Sequence, residues 1–365
     1  MLSKLSDLAI IIMGQSPSSN CYNSINVGLP FLQGRTTFGR IFPTFDTWTT
    51  CWNKEAAKGD ILLTVRAPVG DINIAPTELA IGRGIAAIRA TSCHPIYLFY
   101  LLEANKTFFT NNSTGTIFDS IKYNDISNMV FNVHSYAEQL YIVDTIGSVD
   151  DLIEKIILQN KKIFKLIYLE FDNLIFDYDE ITFSYYDFVK IITSGIHKFE
   201  NNKIYIDTAS VSDHEIISTE YQISHYNRPS RANMQPLSNS SWIAKLKDSP
   251  KYIKVDEYSH HEIDEMIFST GFLGLICINK YVNNYIYTLI SSDRFQEQKN
   301  RVSVGATMQS INNDVFKSLL VPNIKLDEIE IFGKLVDAYY QNIHKYSRKI
   351  KELRLLKAQL LDKFF

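Results

Sequence analysis

At 365 residues, with 45% apolar and 21% charged side chains, the chain has the length for two or three domains and a globular composition. Its 37 Lys and Arg against 40 Asp and Glu give a net charge of −3, so no chain-wide basic field marks a nucleic-acid binder, although a local basic face stays open. Cys21, Cys51, Cys93 and Cys277 lie far apart without a CxxC spacing, which predicts a reducing compartment and no zinc site.

The start of the chain lacks a charged n-region and a cleavage site. The longest apolar runs, such as "LAIIIM", are too short for a bilayer, and the expected location is the cytoplasm. Residues 1–135 hold short strand-like runs broken by Gly, Pro and Asn. In "GDILLTVRAPVGDINIA" an apolar strand, a turn at Ala67-Pro68 and a second strand follow one another. "HPIYLFYLLEANKTFF" has helical spacing and predicts a helix packed on the sheet. Residues 136–180 predict a first long helix, with a short turn conceivable at Gly147-Ser148. Residues 181–325 return to the mixed pattern. There "KIYIDTASVS" is strand-like, "DEMIFSTGFLGLICIN" reads as the mirror of the earlier strand–turn–strand, and "YVNNYIYTLISSDRFQEQK" as the mirror of the helix. Residues 326–365 predict a second long helix. The fold class is mixed α/β with an internal repeat.

The repeat rests first on a phrase. "GTIFDSIKYNDI" (Gly115–Ile126) and "GATMQSINNDV" (Gly305–Val315) share a Ser-Ile pair, Ser120-Ile121 and Ser310-Ile311, set 190 residues apart. Both open on glycine, which suits close approach or unusual backbone angles. The repetition of Ser120 and Ser310 hints at a shared scaffold role, since base readers ought to differ between modules. Helical heptads then follow at the same offset. Val149, Ile153, Ile156, Asn160, Ile163, Ile167, Glu170 and Leu174 step by fours and threes. Tyr339, Ile343, Tyr346, Ile350, Leu353, Lys357, Leu360 and Phe364 take the same steps. That spacing is a coiled-coil seam, and the shared offset favours a duplicated unit over two ordinary amphipathic helices. Residues 149–174 would span about 39 Å as a helix, close to the roughly 34–36 Å of one DNA turn.

Motifs for catalysis are missing. The sequence holds no GxxxxGK[ST], HExxH or GxSxG, and "GRGIAA" fails the dinucleotide spacing. An Asp/Asn-Pro-Pro-aromatic tetrapeptide, the mark of an adenine methyltransferase site, is also missing. His260-His261 reads as a solvated pair more readily than as metal ligands. Candidate DNA contacts are more specific. "RPSRANMQP" places Arg228, Arg231, Asn233 and Gln235 in a proline-bounded loop. Arg can bond guanine, and Asn or Gln adenine, with two hydrogen bonds each. In the first half "LQGRTTFGR" offers Gln33 and Arg35, and "RAPVGD" with "GRG" offers Arg66 and Arg83, beside glycines that let amides approach phosphate. For Arg66 and Arg83 a structural ion pair is the competing reading.

The set of motifs resembles the specificity (S) subunit of type I restriction–modification systems. It is carried by "MGQSPSSNCYN", "KGDILLTVRAPVGDINIA", "IGRGIAAIRA", "YIDTASVS", "RPSRANMQP", "FSTGFLGL" and "GATMQSINNDVFKSLLVPNI", with the closing "LRLLKAQLL". The resemblance adds Gln15, Ser16 and Thr270 to the candidate DNA contacts. It implies two target-recognition domains, 1–135 and 181–325, alternating with spacer helices, 136–180 and 326–365, that pack as an antiparallel coiled coil. Each domain would read one half of a split target in double-stranded DNA. The chain itself would be non-catalytic. It would recruit two methyltransferase (M) subunits, and restriction (R) subunits would join for cleavage. S-adenosylmethionine, ATP and Mg would serve the partners, leaving this chain without a cofactor or metal. Polar seam positions Asn160, Glu170 and Lys357 would fix register, and Glu170 could meet Lys357 across the pair. The chain ends soon after its second helix, so "MLSKLSDLAIIIM" would have to close the circle of helical regions. Two alternatives stay open, a self-contained restriction–modification enzyme and a coiled-coil adaptor for proteins.

Overall fold

Most strand residues in the first half are apolar, on both faces of the strands, and the computed structural model shows why. It describes residues 1–111, 120–303 and 309–365, which pack into two units, residues 1–155 with 351–365 and residues 156–350. In unit 1 the elements are β1 (Leu2–Lys4), α1 (Leu5–Leu8), β2 (Ala9–Met13), β3 (Tyr22–Asn23), β4 (Leu29–Leu32), β5 (Trp48–Thr49) and β6 (Glu55–Ala56). There follow β7 (Ile61–Thr64), β8 (Ile72–Ile74), β9 (Leu79–Ile81), β10 (Ile85–Ala90), α2 (Pro95–Ala104), α3 (Lys106–Asn111), α4 (Tyr123–Ser127) and β11 (Val130–Asn132). An antiparallel sheet of order β2-β10-β7-β8 faces a second of order β3-β5-β4-β9-β6, in which β4 and β9 run parallel. Strand alternation divides β7 between two cores. Ile61 and Leu63 pack towards α2, whereas Leu62 joins Leu32, Leu79 and Ile81 of the second sheet.

Unit 2 repeats this plan. Its elements are β12 (Glu180–Thr182), β13 (Val189–Ile191), β14 (Lys203–Ile206), β15 (Val211–Ser212), β16 (Glu215–Ile216), β17 (Gln222–Ile223) and β18 (Ala232–Met234). Then come β19 (Ser240–Ala244), β20 (Tyr252–Val255), α6 (His260–Glu265), β21 (Met266–Ser269), β22 (Phe272–Cys277), α7 (Lys280–Ser291), α8 (Asp293–Val302), α9 (Asn313–Lys317) and β23 (Leu320–Pro322). The orders β13-β22-β19-β20 and β17-β14-β21-β18 match those of unit 1 without its extra edge strand β3, including the parallel pair β14–β21. Gly274 stands opposite Trp242 in the β19–β22 ladder, where a Cβ would lie 2.5 Å from the indole. The buried Trp242 ring thus requires glycine there.

The topology corrects one equivalence. "DEMIFSTGFLGLICIN" forms β21 and β22 and is the counterpart of "ELAIGRGIAAIRA", which forms β9 and β10. The counterpart of "GDILLTVRAPVGDINIA" is "SSWIAKLKDSPKYIKV", which forms β19 and β20. Two apolar runs around a turn look alike in sequence; only their places in the sheets separate them.

The repeated phrase has the same job in both units. Ile121 donates its N–H to Val65 O and Ile311 to Lys245 O, each at 3.1 Å. Ser120 bridges to Arg66 and Ser310 to Leu246. A short helix and a strand follow in each, β11 pairing with β1 and β23 with β12. The opening Gly115-Thr116 and Gly305-Ala306 lie outside the described residues.

Two long helices complete the units, α5 (Tyr136–Ile175) and α10 (Leu326–Phe364). α5 runs through Gly147-Ser148 without a turn; the Ser148 hydroxyl donates to Asp144 O at 2.6 Å, inside the helix. In unit 1, Tyr141 meets Phe364 and Asp150 meets Lys357. In unit 2, Phe171 meets Phe332 and Tyr178 meets Glu328. Within each unit the two helices are therefore antiparallel. Along the seam Ile153, Ile156, Ile167, Ile350 and Leu353 are buried. Val149, Asn160, Ile163, Ile343, Tyr346 and Leu360 are half-buried, and Glu170 is exposed. The expected Glu170–Lys357 pair is not formed: Lys357 binds Glu103 and Asp150 instead, at 2.9 and 3.0 Å. The reading of four separate cysteines is also corrected. Cys21 and Cys51, 30 residues apart, form a disulfide, because β3 and β5 pair Tyr22 with Thr49 beside them. This removes cysteine spacing as an argument for a reducing compartment.

Candidate nucleic-acid interface

In unit 1 five loop segments converge at one edge of the two sheets, drawn together by backbone hydrogen bonds. Gly84 N–H donates to Gln33 O, Gly14 N–H to Ile85 O, Gln15 N–H to Ile81 O and Val65 N–H to Gly84 O, all within 3.1 Å. Arg83 N–H donates to the Ser16 hydroxyl at 3.2 Å. Glycine permits the approach: a Cβ at Gly84 would lie 2.3 Å from Gln33 O, and one at Gly14 2.2 Å from Gly82 O. The chain thereby gathers Gln15, Ser16, Gln33, Arg35, Arg66 and Arg83, as the sequence singled out, around two neighbouring depressions. One, of about 760 Å3, is lined by Arg66, Arg83, Lys122 and Tyr123 among others. The other, of about 190 Å3, is lined by Gln33, Arg35, Arg66 and Arg83 among others.

The charges there are of two kinds. Arg35 and Lys106 both bind Asp71, at 2.6 and 2.5 Å. Burial pushes the Asp71 carboxyl up, but the hydrogen bonds from Lys106 and Arg35 outweigh it and hold the group below its usual value. Arg35 is therefore partly engaged by the protein itself. Arg66, Arg83 and Lys122 are exposed, and their side chains have no hydrogen-bond or ion-pair partner among the described residues. Among the described residues neither Arg66 nor Arg83 forms the competing ion pair. Three unpaired cations around a concave surface suit the phosphates of a nucleic acid. Lys122 and Tyr123 escaped the sequence reading although they stand in the repeated phrase. The signal was there: at the matching place unit 2 has Asn312, which caps α9 by accepting from Val315 N–H.

Unit 2 divides the loop "RPSRANMQP" differently from expectation. Arg228 turns inward and donates to the carbonyls of Ala232 and His225, so it holds the loop's shape. Gln235 donates to Ile263 O at 3.0 Å and is half-buried. Asn233 is half-buried on β18, its carbonyl accepting from Gly195 N–H. Arg231 is exposed and its carbonyl accepts from Thr270 N–H at 2.8 Å, which joins two predicted contacts in one place. In unit 1 the exposed Lys54 stands just before β6, its carbonyl accepting from Ile81 N–H at 3.0 Å, another cation missed in the sequence. Lys245 and the exposed Lys247 follow β19 where Arg66 follows β7. Beneath them the Lys299 ammonium donates to the carbonyls of Ala244, Leu246 and Ser249 at 3.1–3.2 Å, and burial lowers its pKa to about 8. His260 and His261 stand in α6, His261 exposed, and no group of three His, Cys, Asp or Glu among the described residues could hold a metal.

Two sheets built twice, one pair of long helices running through both units, and cations on the turns at one edge define the class: a duplicated α/β chain with a candidate DNA-binding edge in each unit. Residues 1–165 match the family model described as the type I restriction modification DNA specificity domain. A putative type I restriction enzyme MjaX specificity subunit of Methanocaldococcus jannaschii is 40% identical over 146 residues, 40% of this chain and 34% of that protein. The type I restriction enzyme MjaIX specificity subunit of the same organism is 30% identical over 125 residues, 33% of this chain and 29% of that protein. These matches span about a third of the length of those relatives. The type I restriction-modification system S subunit from M. genitalium superposes with a TM-score of 0.54 at 15% identity, covering 100% of this chain and 96% of that one, a likeness of fold. The first 165 residues are thus similar to the type I restriction modification DNA specificity domain, and the chain as a whole shares the fold of that S subunit.

Proposed function

We propose that the chain is the non-catalytic DNA-specificity subunit of a type I restriction–modification complex. Unit 1 reads one half of a bipartite target in double-stranded DNA and unit 2 the other, and the helical pair seats methyltransferase subunits, which restriction subunits join for cleavage. S-adenosylmethionine, ATP and Mg serve those partners, and the complex works in the cytoplasm. Among the described residues no helix is long and apolar enough to cross a membrane.

What carries this reading is the repetition of one two-sheet plan with unlike residues at corresponding turns: Arg66 against Leu246 and Arg83 against Thr270. A shared scaffold holding different side chains is what two readers of different sequences need. The side chains fit the task, since exposed cations bind phosphate while Gln and Arg address base edges. The test is to purify the chain alone and with its methyltransferase partner, and to give each DNA and S-adenosylmethionine. Methyl transfer by the complex only, on DNA bound with steep salt dependence, is expected. Methyl transfer by the lone chain, or no DNA affinity in the complex, would end the reading.

A further inference from the structure

We propose that Trp52 and Tyr226 are matched aromatic wedges, one per unit, that stack against or between base pairs and make each unit sensitive to DNA deformability. The inference rests on the DNA-reading function above and adds the residues that would distort the duplex. Both rings lie in the same connection of the repeated plan, between β5 and β6 in unit 1 and between β17 and β18 in unit 2. Each connection starts from a strand antiparallel to β4 or β14 and ends on one antiparallel to β9 or β21. Each carries an exposed cation, Lys54 or Arg231, just ahead of its second strand.

A single exposed aromatic is unremarkable on a protein surface. Here two units with unlike sequences both place one at this spot, Trp52 at 42% and Tyr226 at 82% exposure. Both also stiffen the loop that carries it, by different means. The Cys21–Cys51 disulfide anchors the residue before Trp52. Arg228 ties the carbonyls of His225 and Ala232, one on each side of the loop. A loop already held in shape loses less conformational freedom when its tip is inserted.

At Trp52 the chemistry points to a ring face rather than a polar group. Glu55 accepts the Trp52 indole N–H at 2.7 Å, so the indole offers only its apolar surface. The Tyr226 ring has the His225 ring edge-on at 5.3 Å and the Lys198 ammonium 5.8 Å from its centre. An aromatic or apolar wedge between base steps unstacks and kinks a duplex, and its cost depends on the sequence being deformed.

The experiment uses the chain in complex with its methyltransferase partner. The probe is a duplex carrying the target mapped from methylated sites, with 2-aminopurine placed in turn at each position of both halves. The wild-type complex should raise the fluorescence at a step in each half. W52A should abolish the rise in one half and Y226A in the other, each weakening binding about tenfold, as loss of a stacked ring does. The slope of affinity against salt should not change, because no phosphate contact is removed. W52F and Y226F should keep most of the signal. Affinities within twofold of wild type with both signals intact would overturn the proposal. So would a loss that comes with a shallower salt slope, which would make these residues phosphate positioners. A wild-type complex without preference for the mapped target would instead overturn the DNA-reading function itself.

Discussion

Replacing Arg66, Arg83 and Lys122 together by Ala tests whether the unit 1 depression is a DNA surface. All three are exposed and lack partners among the described residues, so their loss opens no cavity and orphans no buried group. Thermal stability should stay within about 0.5 kcal/mol of wild type, the usual range for such surface changes. Each phosphate contact contributes about 0.9 to the slope of log affinity against log salt on duplex DNA, so three contacts should make the slope shallower by about 2.7. At 0.1 M salt that corresponds to an affinity lower by roughly 10²–10³-fold. R35A should change the slope less, because Asp71 already engages Arg35 at 2.6 Å. The assay is a salt titration of binding by the methyltransferase complex, with melting curves as the control for folding. An unchanged slope in a folded triple variant would place the DNA elsewhere, and a collapsed melting temperature would make these residues structural.

Unit 2 should weaken in mild acid through His214. Its ring stacks on Phe164 at 4.0 Å and hydrogen-bonds the Tyr287 hydroxyl at 2.7 Å, and burial pushes its pKa down to about 3 from 6.5. Between those values the unfolded chain binds a proton that the native chain does not, so this stability is complete above pH 6.5 and falls as pH drops. Two pH units correspond to about 2.7 kcal/mol at most. Urea unfolding at pH 7 and 4.5 should show that difference in wild type and lose most of it in H214Q; equal differences in both would clear His214. In unit 1, K357M should cost about 2 kcal/mol, because Asp150 and Glu103 lose a cation that stands between them, although Arg40 still binds Asp150 at 2.7 Å. A double-mutant cycle with D150N should recover part of the loss, and strict additivity would show the pair uncoupled.

Local signals carried much of the architecture. The 4-3 apolar steps are a direct consequence of helix geometry, and α5 and α10 lie where they occur. The phrase shared by Ser120-Ile121 and Ser310-Ile311 marks equivalent backbone bridges because identical turns need similar residues. Features set by distant chain meeting distant chain were hidden. Cys21 and Cys51 become neighbours only through β3–β5 pairing. The equivalence of β9–β10 with β21–β22 depends on sheet order, which short apolar runs do not encode. Among the candidate contacts, residue type drew attention to Arg228 and Gln235, yet both bond to nearby backbone. Lys54, Lys122 and Lys247 were passed over because an exposed lysine has no distinguishing neighbours in sequence. Their significance comes from where the folded turns put them.

Two separate readers in one chain make a demand that a single assay can meet. Residues 185–325 are exchanged for those of a relative with a different specificity, and methylated sites are mapped across a genome in cells that also express the methyltransferase partner. The account predicts a target of two short segments around unread bases, one of which changes in the hybrid while the other is retained. A target that changes in both halves, in neither, or that proves to be one uninterrupted segment would contradict it.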